Sequence, residues 1–259
     1  MDLLLTLLVC LFAGIGAGLG TGFAGMSAAA VITPMLVTFL DMDPYMAVGI
    51  ALASDVLASA VSAYTYGKNK NLDIRGGLVM MAAVLVFTVV GSYISSLVPP
   101  VTMGNFSVIM TLFLGIKFIV RPVMTTRETA NTGSAGVRVV KSIVCGAVVG
   151  FICGFVGAGG GMMMLLLLTS VLRYDLKTAV GTSVFIMTFT ALTGSLSHFA
   201  IGGAPQWYPF VLCVFFTFLF ARIAAKIANK AQPKTLNRAT GVILVILGIV
   251  VLGFSLATK

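Results

Sequence analysis

Two glycine-dense stretches carry the groups in this chain that can hold an ion without a charged side chain. The first, GLGTGFAGMS, spans 18–27, and the second, GFVGAGGG, spans 154–161. Each stands between two apolar runs, where glycine at this density is expected to break one helix and let another begin. The first amides of a helix have no internal partners and place about half a positive charge at its terminus. Gly25, Met26, Ser27 and Ala28 at the first break are therefore candidate substrate-binding residues, as are Gly157, Ala158, Gly159, Gly160 and Gly161 at the second. Two helix starts aimed at one cavity from opposite sides make an anion site that needs no lysine. Glycine also lets helices pack closely, which the spacings Gly14-x3-Gly18-x3-Gly22 and Gly146-x3-Gly150-x3-Gly154 suit.

The segments that follow the breaks add a second set. At helical spacing Ala51, Asp55, Ser59, Ser62 and Tyr66 share one face, and Ser183, Met187, Ala191, Gly194 and His198 share the corresponding face of a later segment. Such small or polar stripes are expected to line a pathway, with Ser54, Thr182 and Ser183 as hydroxyl donors to a substrate oxygen. Asp55 is the one acid deep in an apolar segment. An ionisable group there is costly and points to function: it carries a proton, binds a cation, or makes a helix–helix hydrogen bond. His198 reads as a pathway or interfacial residue, and Arg222 as a basic residue that snorkels or faces the cavity. Asp43 and Asp175 are expected to be N-caps, with Pro44 at a first helical position. The four cysteines lie inside apolar runs without metal-ligand spacing. No catalytic constellation, metal site or cofactor motif is evident, so neither enzyme activity nor a cofactor is expected.

The elements that position these residues follow from composition. Of 259 residues, 59% are hydrophobic and 9% charged, and the mean hydropathy is +1.12. A soluble domain carries about 25% charged residues; this chain cannot wet its own surface, and its partner is the lipid bilayer. The apolar runs are long enough for helices, which need about 20 residues to span. A net charge of +9 sits at segment ends and in loops, which suits membrane orientation and not nucleic acid. With Asp2 as its only early charge, the first run does not read as a signal peptide.

Apolar segments fall near 3–24, 27–40, 44–66, 76–98, 104–120, 141–156, 159–172, 177–199, 208–229 and 239–257, with 27–40, 141–156 and 159–172 short. Shifting the chain by 132 residues places Gly14, Gly18, Gly22, Phe23 and Gly25 on Gly146, Gly150, Gly154, Phe155 and Gly157. Leu36, Leu40, Asp43 and Ala47-Val48-Gly49 fall on Leu168, Leu172, Asp175 and Ala179-Val180-Gly181, and Asn105 on Asn237. The chain is thus a duplication, with repeats over 1–122 and 138–259 and a linker over 123–137. Basic residues swap sides between the copies. Lys68, Lys70 and Arg75 have no counterpart in 199–207, whereas Arg173 and Lys177, and Lys230, Lys234 and Arg238, answer uncharged or acidic turns. That is the pattern of inverted repeats. The expected fold is an all-α polytopic membrane protein of 8–10 membrane segments. Each repeat would be a broken or re-entrant hairpin plus three transmembrane helices, with the linker cytoplasmic and both termini outside.

At the breaks the chain resembles a known family. GFVGAGGG followed by Ala179-Val180-Gly181-Thr182-Ser183 is similar to the TauE/SafE-type sulfite exporter family, also grouped with toluenesulfonate uptake permeases. The second repeat fits through Gly157, Gly159, Gly160, Gly161, Ala179, Gly181, Thr182 and Ser183. The first departs, with Met26-Ser27-Ala28-Ala29 where the family has further glycines and Ile50-Ala51 in place of Thr-Ser. The resemblance implies a secondary transporter of sulfite, sulfonates or related small anions in a bacterial inner membrane. The residues themselves reach "small anion", with a passive anion channel or a carboxylate carrier as alternatives. A proton or sodium ion is the candidate coupling partner, and the assembly is read as monomer or homodimer.

Overall fold

The structure is a computed structural model that describes residues 3–98, 135–156 and 160–232, with isolated helical positions at 116, 120, 235, 238, 242, 245, 246 and 249. Segments 104–120 and 239–257, with Asn105 and Asn237, lie largely outside these. The described residues form eight helices: α1 (Leu3–Ala24), α2 (Ala29–Leu40), α3 (Pro44–Lys68), α4 (Ile74–Ser96), α5 (Ala135–Val156), α6 (Gly160–Ser170), α7 (Leu176–Gly202) and α8 (Trp207–Lys230). Five of them, α1, α3, α4, α7 and α8, are long and apolar enough to cross a membrane. At 12 and 11 residues, α2 and α6 are not; each rises roughly 17 Å, about half a bilayer core.

Local chemistry sets most boundaries. Asp43 Oδ1 accepts from the Met46 amide at 3.0 Å and Asp175 Oδ2 from the Thr178 amide at 3.3 Å, so α3 and α7 start on equivalent caps. The short helices stop alike. Asp41 and Arg173 are both left-handed, and the amides of Met42 and Tyr174 fold back on Leu36 O and Leu168 O. Most boundaries fall within three residues of the expected ones, and two of the differences have a clear local cause. α5 begins at Ala135 and runs 22 residues, into the expected linker, while its apolar part, Val139–Phe155, is short as expected. Its early turns carry Arg138 and Lys141, which exclude them from an apolar window although nothing there opposes helix. α2 begins at Ala29 rather than at 27, because Ser27 Oγ turns back to accept from the Ala29 amide.

Packing is built from small residues, since lipid offers helices no hydrophobic drive to associate. α1 lies along α8: a Cβ on Gly18 would sit 2.7 Å from Thr217 O, and one on Gly22 would sit 2.6 Å from Ala221 O. α5 lies along α4 in the same way, with Gly146 against Met80 and Gly150 against Val84. These pairs exchange under the 132-residue shift. α3 and α7 are each other's counterparts and run antiparallel, Gly49 meeting Phe199 and Gly194 meeting Leu52. This arrangement is consistent with an inverted duplication.

Charge gathers at one end. There the Asn71 amide donates to Asn229 Oδ1 (3.0 Å), Lys177 Nζ to Asn229 O (2.8 Å) and Tyr174 Oη to Asp73 Oδ2 (2.8 Å). These bonds draw the loops that bear Lys68, Lys70, Arg75, Arg173 and Lys230 together. At the other end Tyr208 Oη reaches Leu3 O at 3.5 Å. Between them, exposed side chains such as Phe12, Val86, Leu196 and Phe215 present the apolar face that lipid covers.

Candidate functional site

α1 is brought to a stop by Gly25 at φ +62°, a conformation side chains avoid. The amides of Gly25 and Met26 fold back on Thr21 O and Gly20 O, and the chain turns into α2. At the second break, Gly157, Ala158 and Gly159 lie outside the described residues. Gly160 and Gly161 open α6 and are buried.

The two breaks touch. A Cβ on Gly161 would stand 2.5 Å from Gly25 O and 2.6 Å from the Ser27 nitrogen, so the backbones are in direct contact there. Ser183 Oγ on α7 lies 3.3 Å from both Gly25 O and Gly161 O and bridges them. The starts of α2 and α6, from opposite halves of the chain, therefore meet beside α7. In this conformation no oxyanion fits between Gly161 and the 25–27 segment; holding one with both breaks requires them to part.

Asp55 of α3 lies against the α2 start and is fully buried. Its Oδ1 accepts from Ser59 Oγ at 2.9 Å and from Thr21 Oγ1 at 3.4 Å. The Ser27 hydroxyl and the Ala28 amide also turn on the carboxyl group. Oδ2 has no partner of hydrogen-bond geometry among the described residues, and neither does the buried Ser62 hydroxyl. Met26 is buried at the same turn, folded over Gly20. Cys153 completes the neighbourhood from α5: a Cβ on Gly160 would be 2.8 Å from Cys153 Cβ, and Cys153 is within electrostatic reach of Asp55.

Other candidates lie elsewhere. Ser54 Oγ donates to Ile50 O within its own helix, and Thr182 Oγ1 accepts the Asp73 amide at 3.1 Å, tying the α3–α4 loop to α7. Tyr66 Oη donates to Gly22 O at 3.1 Å, and His198 Nε2 lies 3.0 Å from Gly154 O. Both hold the ends of the broken hairpins. Arg222 is exposed beside Ile223 and Lys226, because α8 turns its alanines (221, 224, 225) onto the α1 glycines and Arg222 falls on the outer face. Thr21 and Cys153 were not singled out from sequence. They are each other's counterparts under the 132-residue shift, one position before Gly22 and Gly154, which is the signal that marks them.

Among the described residues no group of three or more His, Cys, Asp or Glu side chains is placed to hold a metal ion. A groove of about 590 Å³ between α3 and α7, lined by Ala60, Ala63, Tyr64, Phe185 and Phe189 among others, is apolar and opens outward, with Tyr64 exposed. Its other polar side chains are Lys68, exposed at one end, and Thr188, whose hydroxyl donates to Val184 O.

The chain is similar to known membrane transporters. The family model described as "Sulfite exporter TauE/SafE" matches residues 10–251. The chain is 26% identical over 244 residues to the "Probable membrane transporter protein YunE" of Bacillus subtilis, covering 89% of each chain. It is 22% identical over 269 residues to the "Probable membrane transporter protein MJ0441" of Methanocaldococcus jannaschii, covering 97% of each. No solved structure matches it.

Proposed function

The chain belongs to the sulfite exporter TauE/SafE family of membrane transporters, and from that premise we propose that it is a secondary carrier of a small sulfur oxyanion. Sulfite or a sulfonate of the sulfoacetate or taurine type is the substrate class. The observation that carries this reading is the contact of Gly161 with the Gly25–Ser27 segment. It brings the partial positive ends of α2 and α6 together in the interior, where a desolvated anion meets amides and hydroxyls instead of water. Glycine at positions 25, 160 and 161 lets the oxyanion approach the backbone, and Ser183 adds a hydroxyl between the breaks.

The closed contact also favours a carrier over a channel. A channel keeps a continuous path, whereas here the breaks must separate to admit substrate and can then close behind it. Because α3 and α7 run antiparallel at the centre, rocking of one half on the other exposes the breaks to alternate faces. The end that collects Lys68, Lys70, Arg75, Arg173, Lys177 and Lys230 is assigned to the cytoplasm of an inner membrane, which puts the α1 start outside.

A thermal-shift screen of purified protein against sulfite, thiosulfate, taurine, sulfoacetate, isethionate and their carboxylate analogues tests the substrate class. Counterflow in proteoliposomes tests the mode. Saturable exchange of a labelled sulfur oxyanion is expected. Flux that neither saturates nor exchanges would make the protein a channel, and stabilisation by carboxylates only would replace the substrate class.

A further inference from the structure

The α2 start already has an anion, and it belongs to the protein. Asp55 is the buried acid among the described residues, and everything that turns on its carboxyl is a donor: Ser59, Thr21 and Ser27 hydroxyls and the Ala28 amide. A hydroxyl can turn its lone pairs to a cation, but an amide cannot, and a helix start repels one. This shell is built for negative charge. The unpartnered Oδ2, fully buried, leaves the carboxylate incompletely satisfied there, a costly state that a competing ligand or a proton relieves.

We propose that the Asp55 carboxylate is the resident anion of the α2 start, that a substrate oxyanion replaces it there only when Asp55 is protonated, and that one proton therefore travels with each monoanion. The inference rests on the anion site of the preceding subsection. Two negative groups cannot share one desolvated donor shell, so the incoming oxyanion takes the Ala28 amide and the Ser27 hydroxyl while the carboxyl becomes neutral. A monoanion with one proton carries no net charge, so transport follows the two concentration gradients and not the membrane potential. The groups facing Asp55 are Thr21 from α1, Ser27 and Ala28 from the break, Ser59 from α3 itself and Cys153 from α5. Among the described residues no lysine or arginine acts on it: their side chains are exposed, save half-buried Lys177, held on Asn229 O. His198 is engaged on Tyr45 O and Gly154 O.

The test uses isethionate and thiosulfate, which stay fully ionised from pH 5 to 9 and do not take up the proton themselves. Calorimetric titration of the purified full chain in buffers of different ionisation enthalpy is expected to show about one proton taken up per anion bound. In the alkaline range affinity should fall about tenfold per pH unit, the linkage slope for one proton. In Asp55→Asn both the uptake and the slope should vanish. Binding without proton uptake in the wild-type chain would overturn this inference alone, and so would a slope that survives in Asp55→Asn. Affinity that depends on sodium and not on pH would replace the proton with a cation. If neither probe binds at any pH, the sulfur-oxyanion reading falls and this one with it. The wild-type proton count stands even if the variant does not fold.

Discussion

Tyr66 and His198 stand 132 positions apart and do the same work on equivalent carbonyls, Tyr66 Oη on Gly22 O at 3.1 Å and His198 Nε2 on Gly154 O at 3.0 Å. The last carbonyls of a helix have no internal partners. α1 and α5 end inside the protein, and a polar side chain from the end of the third helix of each repeat meets these carbonyls, joined at Gly154 O by Ser92 Oγ at 3.4 Å. The pair is a side-chain replacement for the solvent that a surface helix end would use.

Tyr66→Phe removes the hydroxyl and keeps the ring, leaving Gly22 O buried without that donor. The expected cost is about 1–3 kcal/mol of stability, read as a lower unfolding midpoint of purified protein, with anion affinity little changed. A midpoint equal to the wild type would mean that the carbonyl has another partner.

His198 faces a carbonyl on each side, Tyr45 O 3.2 Å from Nδ1 and Gly154 O 3.0 Å from Nε2. A neutral imidazole donates to one of them and an imidazolium to both. His198→Gln retains a donor for one carbonyl, so it should lose less stability than His198→Ala, which strips both contacts and leaves a cavity. The ordering of the two midpoints is the check, and equal losses would show that the ring acts by volume.

Much of this frame was legible in the amino-acid order. Asp43 and Asp175 announce helix starts because a carboxylate just ahead of an apolar run meets the bare amide three residues on. The glycine ladders announce helix pairs because only small residues allow that approach. Other features were not legible, for reasons of geometry. Thr182 and Ser183 are neighbours in sequence but point about 100° apart on a helix, so a shared motif does not give them a shared task. Arg222 looked deep by its place in the segment, yet which way α8 rolls is decided by Ala221, Ala224 and Ala225 seeking the α1 glycines. The donors around Asp55 come from α1, from the break and from α3, and no spacing along one element encodes such a meeting.

Gly161→Ala places a methyl where Gly25 O and the Ser27 nitrogen stand, at 2.5 and 2.6 Å. Backbone atoms on both sides cannot yield as a side-chain tip would, so the breaks must move apart. The variant is expected to favour a conformation in which Cys153, fully buried beside Gly160, becomes reachable. The measurement is the labelling rate of Cys153 by a small methanethiosulfonate, in a background lacking the other three cysteines, Cys10, Cys145 and Cys213. Acceleration in Gly161→Ala supports a contact that opens; an unchanged rate in a folded protein would mean that the strain relaxes locally.

Thr182 and Ser183 give the sharpest comparison, because adjacent hydroxyls are assigned to different tasks. Thr182 Oγ1 accepts the Asp73 amide, and Asp73 in turn caps α4 through Gly76 N at 2.9 Å and takes the Tyr174 hydroxyl. Thr182→Val therefore unties a loop, at a cost of about 1 kcal/mol of stability, while the breaks keep their geometry. Ser183 Oγ sits between Gly25 O and Gly161 O and has no such loop to hold. When the breaks part, its hydroxyl is released to donate to an anion, and Ser183→Ala should weaken oxyanion binding by roughly fivefold to tenfold, the worth of about one hydrogen bond. Unfolding midpoints and anion titrations on both variants separate the roles. If Thr182→Val weakens binding as much as Ser183→Ala does, the site extends toward the α3–α4 loop, and the hydroxyl pair works as one unit.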